Sequence, residues 1–219
     1  MSVVPNDYDC DPDRVGSAVG GALARKYPRG DVHPGVAQRL ASEGCHRVLD
    51  VGGGTGTLAR LLTELGVVAV IVDQSPAQLR HAPAPKIRAD GHRLPFRDSC
   101  VDGVAMLWTL YHFIQPGDAV AEAWRVLRSG GVFVACAPSR WNDPELADYI
   151  PGFGEASVFD AEVAPGLVSA VFGNSDVEAW DGPLLTLQDE DDLARFLRSQ
   201  LCPPERIPVA LREVALPSH

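Results

Sequence analysis

Apolar and polar positions alternate in blocks along the middle of the chain, and the blocks predict strands and helices in turn. Arg47–Val51 and Val67–Asp73 are short apolar runs, as expected for parallel strands whose two faces are covered by helices. Thr57–Leu65 carries leucines three and four residues apart, which predicts an amphipathic helix between the two strands. The order strand, helix, strand indicates a doubly wound α/β sheet with right-handed crossovers.

Further strands and helices are predicted before and after these two strands and their connecting helix. Ser75 and Pro76 are expected to be the N-cap and the first-turn residue of a helix that ends near Ala82. Two short helices are expected before the sheet, at Asp13–Tyr27 and Val36–Glu43. The other predicted elements are strands at Lys86–Ala89, Val101–Trp108 and Gly131–Ala137 and a helix at Asp118–Leu127.

The pattern weakens after the fifth predicted strand. Trp141–Val163 is rich in proline, glycine and acids and predicts a long loop or short helices. Val177–Leu187 predicts a kinked strand, and Asp189–Ser199 predicts a helix with acids in its first turn. Antiparallel strands would complete the sheet at its C-terminal edge. The last of them is either absent or formed by Val209–Leu216, because prolines break up this part of the chain.

The length of 219 residues suffices for one α/β domain with its own core. We therefore predict a single domain over residues 1–219. Within it, residues 1–44 form a helical cap, residues 45–138 the cofactor-binding core, and residues 139–219 a substrate-side loop with the C-terminal elements.

Charge and cysteine content narrow the classes of function. A formal net charge of −10 with only two lysines disfavours binding to nucleic acid or to an anionic membrane. Five widely spaced cysteines without a C-x-x-C pair argue against a disulfide framework or a zinc site and fit a reducing cytoplasm. No signal segment is recognisable, and no apolar run approaches the roughly 20 residues that span a bilayer. We therefore expect a cytoplasmic protein.

The strongest chemical signal follows the first strand, where residues 48–56 read V-L-D-V-G-G-G-T-G. Asp50 comes near the end of the apolar run, and Gly52, Gly54 and Gly56 alternate after it. Because glycine has no Cβ, such a turn can adopt positive φ and let a ligand approach the backbone closely. The N–H groups at the start of the following helix then point at the ligand. The sequence therefore predicts a site for a nucleotide-derived cofactor.

Two kinds of cofactor fit this turn when it is considered by itself. Residues 54–59 match the dinucleotide fingerprint G-x-G-x-x-A, and an acid, Asp73, follows about 20 residues further on. The whole stretch D-x-G-x-G-x-G of residues 50–56, in contrast, resembles the first motif of the class I S-adenosylmethionine-dependent methyltransferases.

Two further segments favour the methyltransferase resemblance. Residues 89–104, A-D-G-H-R-L-P-F-R-D-S-C-V-D-G-V, are similar to a segment of that family built around A-D and L-P-F. Residues 125–134, R-V-L-R-S-G-G-V-F-V, are similar to its helix–Gly-Gly–strand signature, with Ser129 in place of the usual proline. A dinucleotide dehydrogenase does not need either segment. The chain thus resembles small-molecule methyltransferases of the kind that includes the quinone C-methyltransferases.

The resemblance implies S-adenosylmethionine as cofactor and S-adenosylhomocysteine as product. Asp73 would hold the ribose hydroxyls and Asp90 would meet the adenine amino group, although either acid could instead cap a helix or shape a turn. Asp102 is expected to be structural. The implied cofactor-binding residues are Asp50, Gly52, Gly54, Gly56, Asp73, Gln74, Asp90, Gly91 and Trp108.

Residues on the acceptor side are less firmly indicated. His112 follows the fourth strand and is the candidate general base, because histidine titrates near neutrality; it could equally be bonded to the backbone at a helix start. Tyr8, Tyr111 and Trp141 are candidate substrate-binding residues. We expect metal-independent methyl transfer to an O, N or C atom of a small molecule, by a monomer or a homodimer. An NAD-dependent oxidoreductase and a non-catalytic cofactor-binding module remain open alternatives.

Overall fold

The computed structural model describes residues 8–9, 31–83, 85–182, 187 and 189–214. Within them one parallel sheet is formed by β1 (Arg47–Val51), β2 (Val68–Asp73), β3 (Lys86–Arg88), β4 (Val101–Leu107) and β5 (Leu127–Cys136). The strand order is β3-β2-β1-β4-β5, so the sheet grows in opposite directions from β1. The predicted doubly wound α/β class is confirmed, and ligands in such sheets bind where the order reverses, here between β1 and β4.

Helices follow the strands and cover the sheet. They are α1 (Val32–Ser42), α2 (Thr57–Glu64), α3 (Pro76–His81), α4 (Pro116–Val126), α5 (Ala164–Phe172), α6 (Glu190–Ser199) and α7 (Ile207–Glu213). Short 3₁₀ turns lie at Leu110–His112 and Pro144–Leu146. The sequence prediction matches the bounds of most of these strands and helices to within two residues, because each element between β1 and β5 has its own apolar period.

Each face of the sheet has its own apolar cluster. On one face Leu40 of α1 and Leu62 of α2 belong to the cluster that contains Ile71 of β2. On the other face Val120 of α4 joins the cluster that contains Met106 of β4, and α5 packs against it. A third cluster joins α6, α7 and the loop after β5. The core therefore covers the body of the sheet and leaves the carboxyl ends of the strands to form the site.

Local capping explains two helix starts. The Ser75 side chain accepts a hydrogen bond from Gln78 N and caps α3, as predicted. Helix α1 begins at Val32 and not at the predicted Val36, because Asp31 caps it. Pro34 then falls in the first turn, where a missing backbone N–H costs nothing.

The structure corrects one prediction for the C-terminal part and excludes one of two alternatives. Residues 177–182 of the predicted strand Val177–Leu187 form no strand; they are exposed and bury no apolar face. Val209–Leu216, the alternative to an absent last strand, falls largely in helix α7. Apolar positions 207, 210, 211 and 214 follow the helical period and pack in the third cluster, so periodicity overrides the prolines. No antiparallel pair occurs among the described strands, and the predicted helix Asp13–Tyr27 lies outside the described residues.

Arg125 joins the two later segments on which the methyltransferase resemblance depends. Its Nη1 donates to Phe96 O at 2.9 Å and to Asp98 Oδ1 at 2.6 Å. Its Nη2 donates to Leu94 O at 3.2 Å and to Glu122 Oε1 at 2.6 Å, and the same Glu122 oxygen accepts from Leu94 N at 2.8 Å. The L-P-F turn is thereby fixed to α4.

Asp102 is structural, as predicted. Its Oδ2 accepts from the backbone N–H groups of His46 and Arg47 at 2.7 and 2.8 Å, and its Oδ1 pairs with Arg128. These bonds hold the starts of β1, β4 and β5 together, at the end of the sheet opposite to the site.

The Arg125 clamp predicts a measurable stability effect. Arg125→Met should lower the free energy of unfolding by about 2 kcal/mol, because carbonyl and carboxylate acceptors lose a charged donor. Arg97→Met is the matched control: Arg97 is exposed in the same segment, and its replacement should change stability by less than about 0.5 kcal/mol. Urea unfolding of both variants is the measurement, and equal small effects would contradict the clamp.

Candidate functional site

The glycine turn joins β1 to α2 at the point where the strand order reverses. Gly52, Gly54 and Gly56 have φ values of 70°, 53° and 82°. A Cβ at Gly52 would overlap the Thr109 side chain, whereas a Cβ at Gly54 would have Gln78 Oε1, 3.6 Å away, as its nearest neighbour. Packing therefore requires Gly52, while Gly54 faces open space where a ligand can approach the backbone.

Asp50 lies directly beneath this turn. Its side chain is buried, and its Oδ2 has no hydrogen-bond partner among the described residues. Burial raises the pKa of Asp50 to about 7; a backbone hydrogen bond from Ala59 lowers it, and the nearby Asp73 raises it. A buried acceptor without a donor is costly. A cationic ligand above the turn would stabilise the ionised carboxylate.

Asp73 ends β2 and faces the same turn. Its Oδ2 accepts from Gly54 N at 2.9 Å and its Oδ1 accepts from Ser75 N at 2.8 Å. Burial raises the pKa of Asp73, and the two backbone bonds oppose that rise. A carboxylate held in this way can still accept hydrogen bonds from two neighbouring hydroxyl groups, as the ribose role requires.

A polar cavity of about 370 Å³ opens beyond the carboxyl ends of β2 and β3. Its size is within the range of small-molecule sites, about 300–1,000 Å³. It is lined by Asp9, Gln74, Ser75, Arg88, Ala89 and Asp90. Two of the predicted cofactor-binding residues, Gln74 and Asp90, therefore share one cavity, next to Asp73.

Asp90 is held in place by its neighbours. Its Oδ1 accepts from the His92 backbone N–H at 2.9 Å and pairs with the His92 ring at 2.8 Å, and the Gln74 side chain also bonds to the carboxylate. Partial burial alone would raise the pKa of Asp90, but the bonds from His92 outweigh it and lower the pKa. Asp90 is thus an ionised acceptor at the cavity wall at neutral pH.

Residues 8 and 9 cross the carboxyl edge of the sheet. Asp9 Oδ1 accepts from Ser75 Oγ at 2.6 Å and from Ala77 N at 3.3 Å, next to the end of β2. Tyr8 Oη lies 3.1 Å from His112 Nε2, in the 3₁₀ turn after β4. The Tyr111 ring is 4.6 Å from the His112 ring. The structure therefore brings together three predicted acceptor-side residues, Tyr8, Tyr111 and His112.

The other predicted site residues have different surroundings. Trp108 follows β4 with a φ of 55°, an unusual value for a bulky residue and one that is typical of functional sites. Gly91 is buried, and a Cβ there would overlap the Phe113 ring, so packing requires this glycine. Trp141 comes after β5 and is 69% exposed.

Sequence reasoning did not predict the contacts that Asp9, Ser75, Arg88 and Thr109 make in the site. Ser75 was predicted only as a helix cap, and nothing in the sequence distinguishes Arg88 from an exposed arginine at a strand end. Thr109, which lies after β4, packs against the Gly52 backbone. A threonine after the fourth strand has no local signal for that contact. All four depend on contacts between distant parts of the chain.

A parallel sheet in this order, with a glycine turn after β1 and an acid at the end of β2, defines a Rossmann-like α/β domain. Residues 49–135 match the methyltransferase domain family. The chain belongs to the class I S-adenosylmethionine-dependent methyltransferases, as its sequence motifs predict. In the described part of the chain, no helix combines the length and the apolar character of a membrane-spanning segment.

Similar proteins agree with this family and leave the reaction open. An uncharacterized methyltransferase of Mycobacterium tuberculosis is 37% identical over 121 residues, which cover 53% of this chain and 48% of that protein. A demethylmenaquinone methyltransferase of Corynebacterium urealyticum is 30% identical over 167 residues, covering 70% of this chain and 66% of that protein. The chain thus spans about half the length of the mycobacterial relatives it matches.

One solved structure with the same fold carries out a different reaction. The [4+2]-cyclase SpnF superimposes with a TM-score of 0.59 at 21% identity, over 95% of this chain and 83% of that one. This likeness shows a shared fold. Because that protein is a cyclase, the fold by itself does not decide the reaction.

Alanine substitutions at Gly52 and Gly54 should lower the free energy of unfolding by different amounts. Gly54→Ala should lower the free energy of unfolding by about 1 kcal/mol, the cost of a positive φ for a residue with a Cβ. Gly52→Ala should cost about 1–3 kcal/mol more, because its Cβ also overlaps Thr109. Urea unfolding of the two variants gives the comparison. Equal losses would show that Thr109 does not constrain the turn.

The buried Asp50 predicts a pH effect with a definite sign. The folded protein holds the Asp50 proton up to about pH 7, whereas the unfolded chain releases it near pH 4. Between these pH values the folded state therefore binds more protons than the unfolded state, so the free energy of unfolding falls as pH rises. Relative to Asp50→Asn, the unmodified protein should lose up to about 1.4 kcal/mol per pH unit in this window. Parallel pH profiles of urea unfolding would contradict the assignment.

Proposed function

We propose that the chain binds S-adenosylmethionine at the glycine turn and transfers its methyl group to an O, N or C atom of a small-molecule acceptor. The observation that carries this proposal is the Asp73 carboxylate, which bonds to Gly54 N and to the backbone N–H of Ser75, a residue that lines the polar cavity. Membership of the methyltransferase family supports the class of reaction.

The charges of the site favour this cofactor over a dinucleotide. S-adenosylmethionine carries a sulfonium, an ammonium and a carboxylate group and so has a net positive charge, whereas a dinucleotide would bring an anionic pyrophosphate to the turn. Asp50 lies beneath the turn and Asp73 bonds to Gly54 N within it, so both acids are near the place of the charged methionine part. Acids at short range attract a cation and repel a pyrophosphate. The residues present therefore fit the cationic cofactor.

The adenosine part of the cofactor is assigned to the cavity. Asp73 would accept hydrogen bonds from the ribose hydroxyls, and Asp90 from the adenine amino group, with Gln74 holding Asp90 in place. The methionine part would lie against the glycine turn, where Gly54 leaves room. When bound, S-adenosylmethionine supplies an activated methyl group, which a nucleophile of the acceptor displaces from sulfur in line.

The acceptor is assigned to the side of the site that lies after β4 and β5. His112 would take a proton from a hydroxyl group or an activated carbon, and the bond to Tyr8 would orient its imidazole. Tyr111 and Trp141 would contribute aromatic surface. The similarity to a demethylmenaquinone methyltransferase supports a small-molecule acceptor. Alignment of acceptor and methyl group would supply most of the rate, since orientation effects reach about 7–11 kcal/mol.

Binding of S-adenosylhomocysteine tests the cofactor assignment directly. Asp73→Ala should weaken binding by about 100-fold, because two charge-assisted hydrogen bonds to the ribose are lost. Asp118→Ala is the matched control, because Asp118 is an exposed acid in the first turn of α4. This variant should bind S-adenosylhomocysteine with an affinity within about twofold of the unmodified protein. Isothermal titration calorimetry gives both values.

Three outcomes have separate meanings. If the unmodified protein shows no binding of S-adenosylmethionine or S-adenosylhomocysteine, the proposed function is wrong. If it binds and Asp73→Ala binds equally well, the ribose role is wrong. If it binds but transfers no labelled methyl group to a panel of hydroxyl, amine and activated-carbon acceptors, it is a cofactor-binding module.

A further inference from the structure

Asp9 is a wall residue of the cofactor cavity with an unusually well-defined anchor. One carboxylate oxygen accepts both the Ser75 hydroxyl at 2.6 Å and the Ala77 backbone N–H at 3.3 Å. The bond from Ser75 is the main cause that lowers the pKa of Asp9, so the group is ionised at neutral pH. Ser75 Oγ also accepts from Gln78 N at 3.1 Å. The Ser75 hydroxyl that donates to Asp9 is therefore also held in position by α3.

The residue next to Asp9 is anchored on the other side of the site. Tyr8 Oη and His112 Nε2 are 3.1 Å apart, and the two rings meet edge to face with centroids 5.5 Å apart. Ser75 follows β2 and His112 follows β4, and these strands flank β1 in the sheet. Two consecutive residues therefore reach from one neighbour of β1 to the other, across the end from which the glycine turn leaves.

Such a short bridge couples its two anchors. Consecutive residues span only about 3.8 Å from Cα to Cα, so a shift of the Asp9 backbone away from Ser75 would also move Tyr8 relative to His112. The anchor is also at the cavity wall, and a bound adenosine there would lie against it. Cofactor release and the orientation of His112 would then depend on the same bond.

We propose that Asp9 is a positioning residue: its bond to Ser75 anchors it at the wall of the cofactor cavity and holds Tyr8 against His112. This inference rests on the proposed function, because it takes S-adenosylmethionine to be the occupant of the cavity. Asp9 itself carries out no chemical step. It acts on the acceptor side through Tyr8 and on the cofactor by delaying its release.

The rate of S-adenosylhomocysteine release is the first test. Asp9→Ala and Ser75→Ala should each raise the dissociation rate about tenfold, as expected for loss of one hydrogen bond to a charged group. The double variant should release the ligand no faster than the faster single variant, because both changes remove the bond between Asp9 and Ser75. Stopped-flow displacement measures all three rates. Asp118→Ala, on the exposed start of α4, is the control and should release the ligand at the unmodified rate.

The second test reports on His112 and needs no acceptor. The ring nitrogen signals of His112 in NMR spectra should shift in Asp9→Ala in the same direction as in Tyr8→Phe. A purely structural role of Asp9 would not move them in this matched way. Asp9→Glu keeps the carboxylate and should restore most of the unmodified release rate and ring signal.

The results that would overturn the inference are distinct from those that would overturn the proposed function. Unchanged release rates, additive effects of Asp9→Ala and Ser75→Ala, or an unmoved His112 signal contradict the positioning role alone. A lowered melting temperature in Asp9→Ala without faster release contradicts it as well. Failure of the unmodified protein to bind S-adenosylhomocysteine overturns both.

Discussion

The site depends on one hydrogen bond, from the Gly54 backbone N–H to the Asp73 carboxylate. Positive φ at Gly54 turns this N–H toward the end of β2, and only a residue without a Cβ adopts that conformation at little cost. The same carboxylate also accepts from Ser75 N at the start of α3. One acid thus joins the turn after β1 to the turn after β2, and the cavity opens beside this junction.

The residues around this hydrogen bond keep it in place. Beneath it, Asp50 is buried under the turn with a raised pKa, and Thr109 packs against the Gly52 backbone. Further out, Arg125 fixes the L-P-F turn that follows Asp90. The motifs that identify the family are therefore of two kinds. The glycines and acids border the cofactor site, whereas the Arg125 motif acts at a distance by holding the backbone.

Much of this arrangement follows from short-range sequence signals. The strand β1, the Ser75 cap and the glycine turn are predicted because each depends on neighbouring residues alone. Helix α7 was not predicted, because its prolines obscured a helical period and left only a weak strand or no element as alternatives. Residues 177–182 form no strand, because they bury no apolar face. Contacts such as those of Asp9 with Ser75 and of Tyr8 with His112 join distant segments. No local pattern encodes them, although the individual residues Tyr8 and His112 were predicted.

The central claim is that the cavity next to Asp73 is the place of the adenosine part of S-adenosylmethionine. A crystal structure of the chain with S-adenosylhomocysteine tests it most directly. We predict electron density for the adenine in this cavity, with its amino group on the Asp90 carboxylate and both ribose hydroxyls on the Asp73 carboxylate. Density for the ligand at any other place, or a ribose that does not touch Asp73, would contradict the claim.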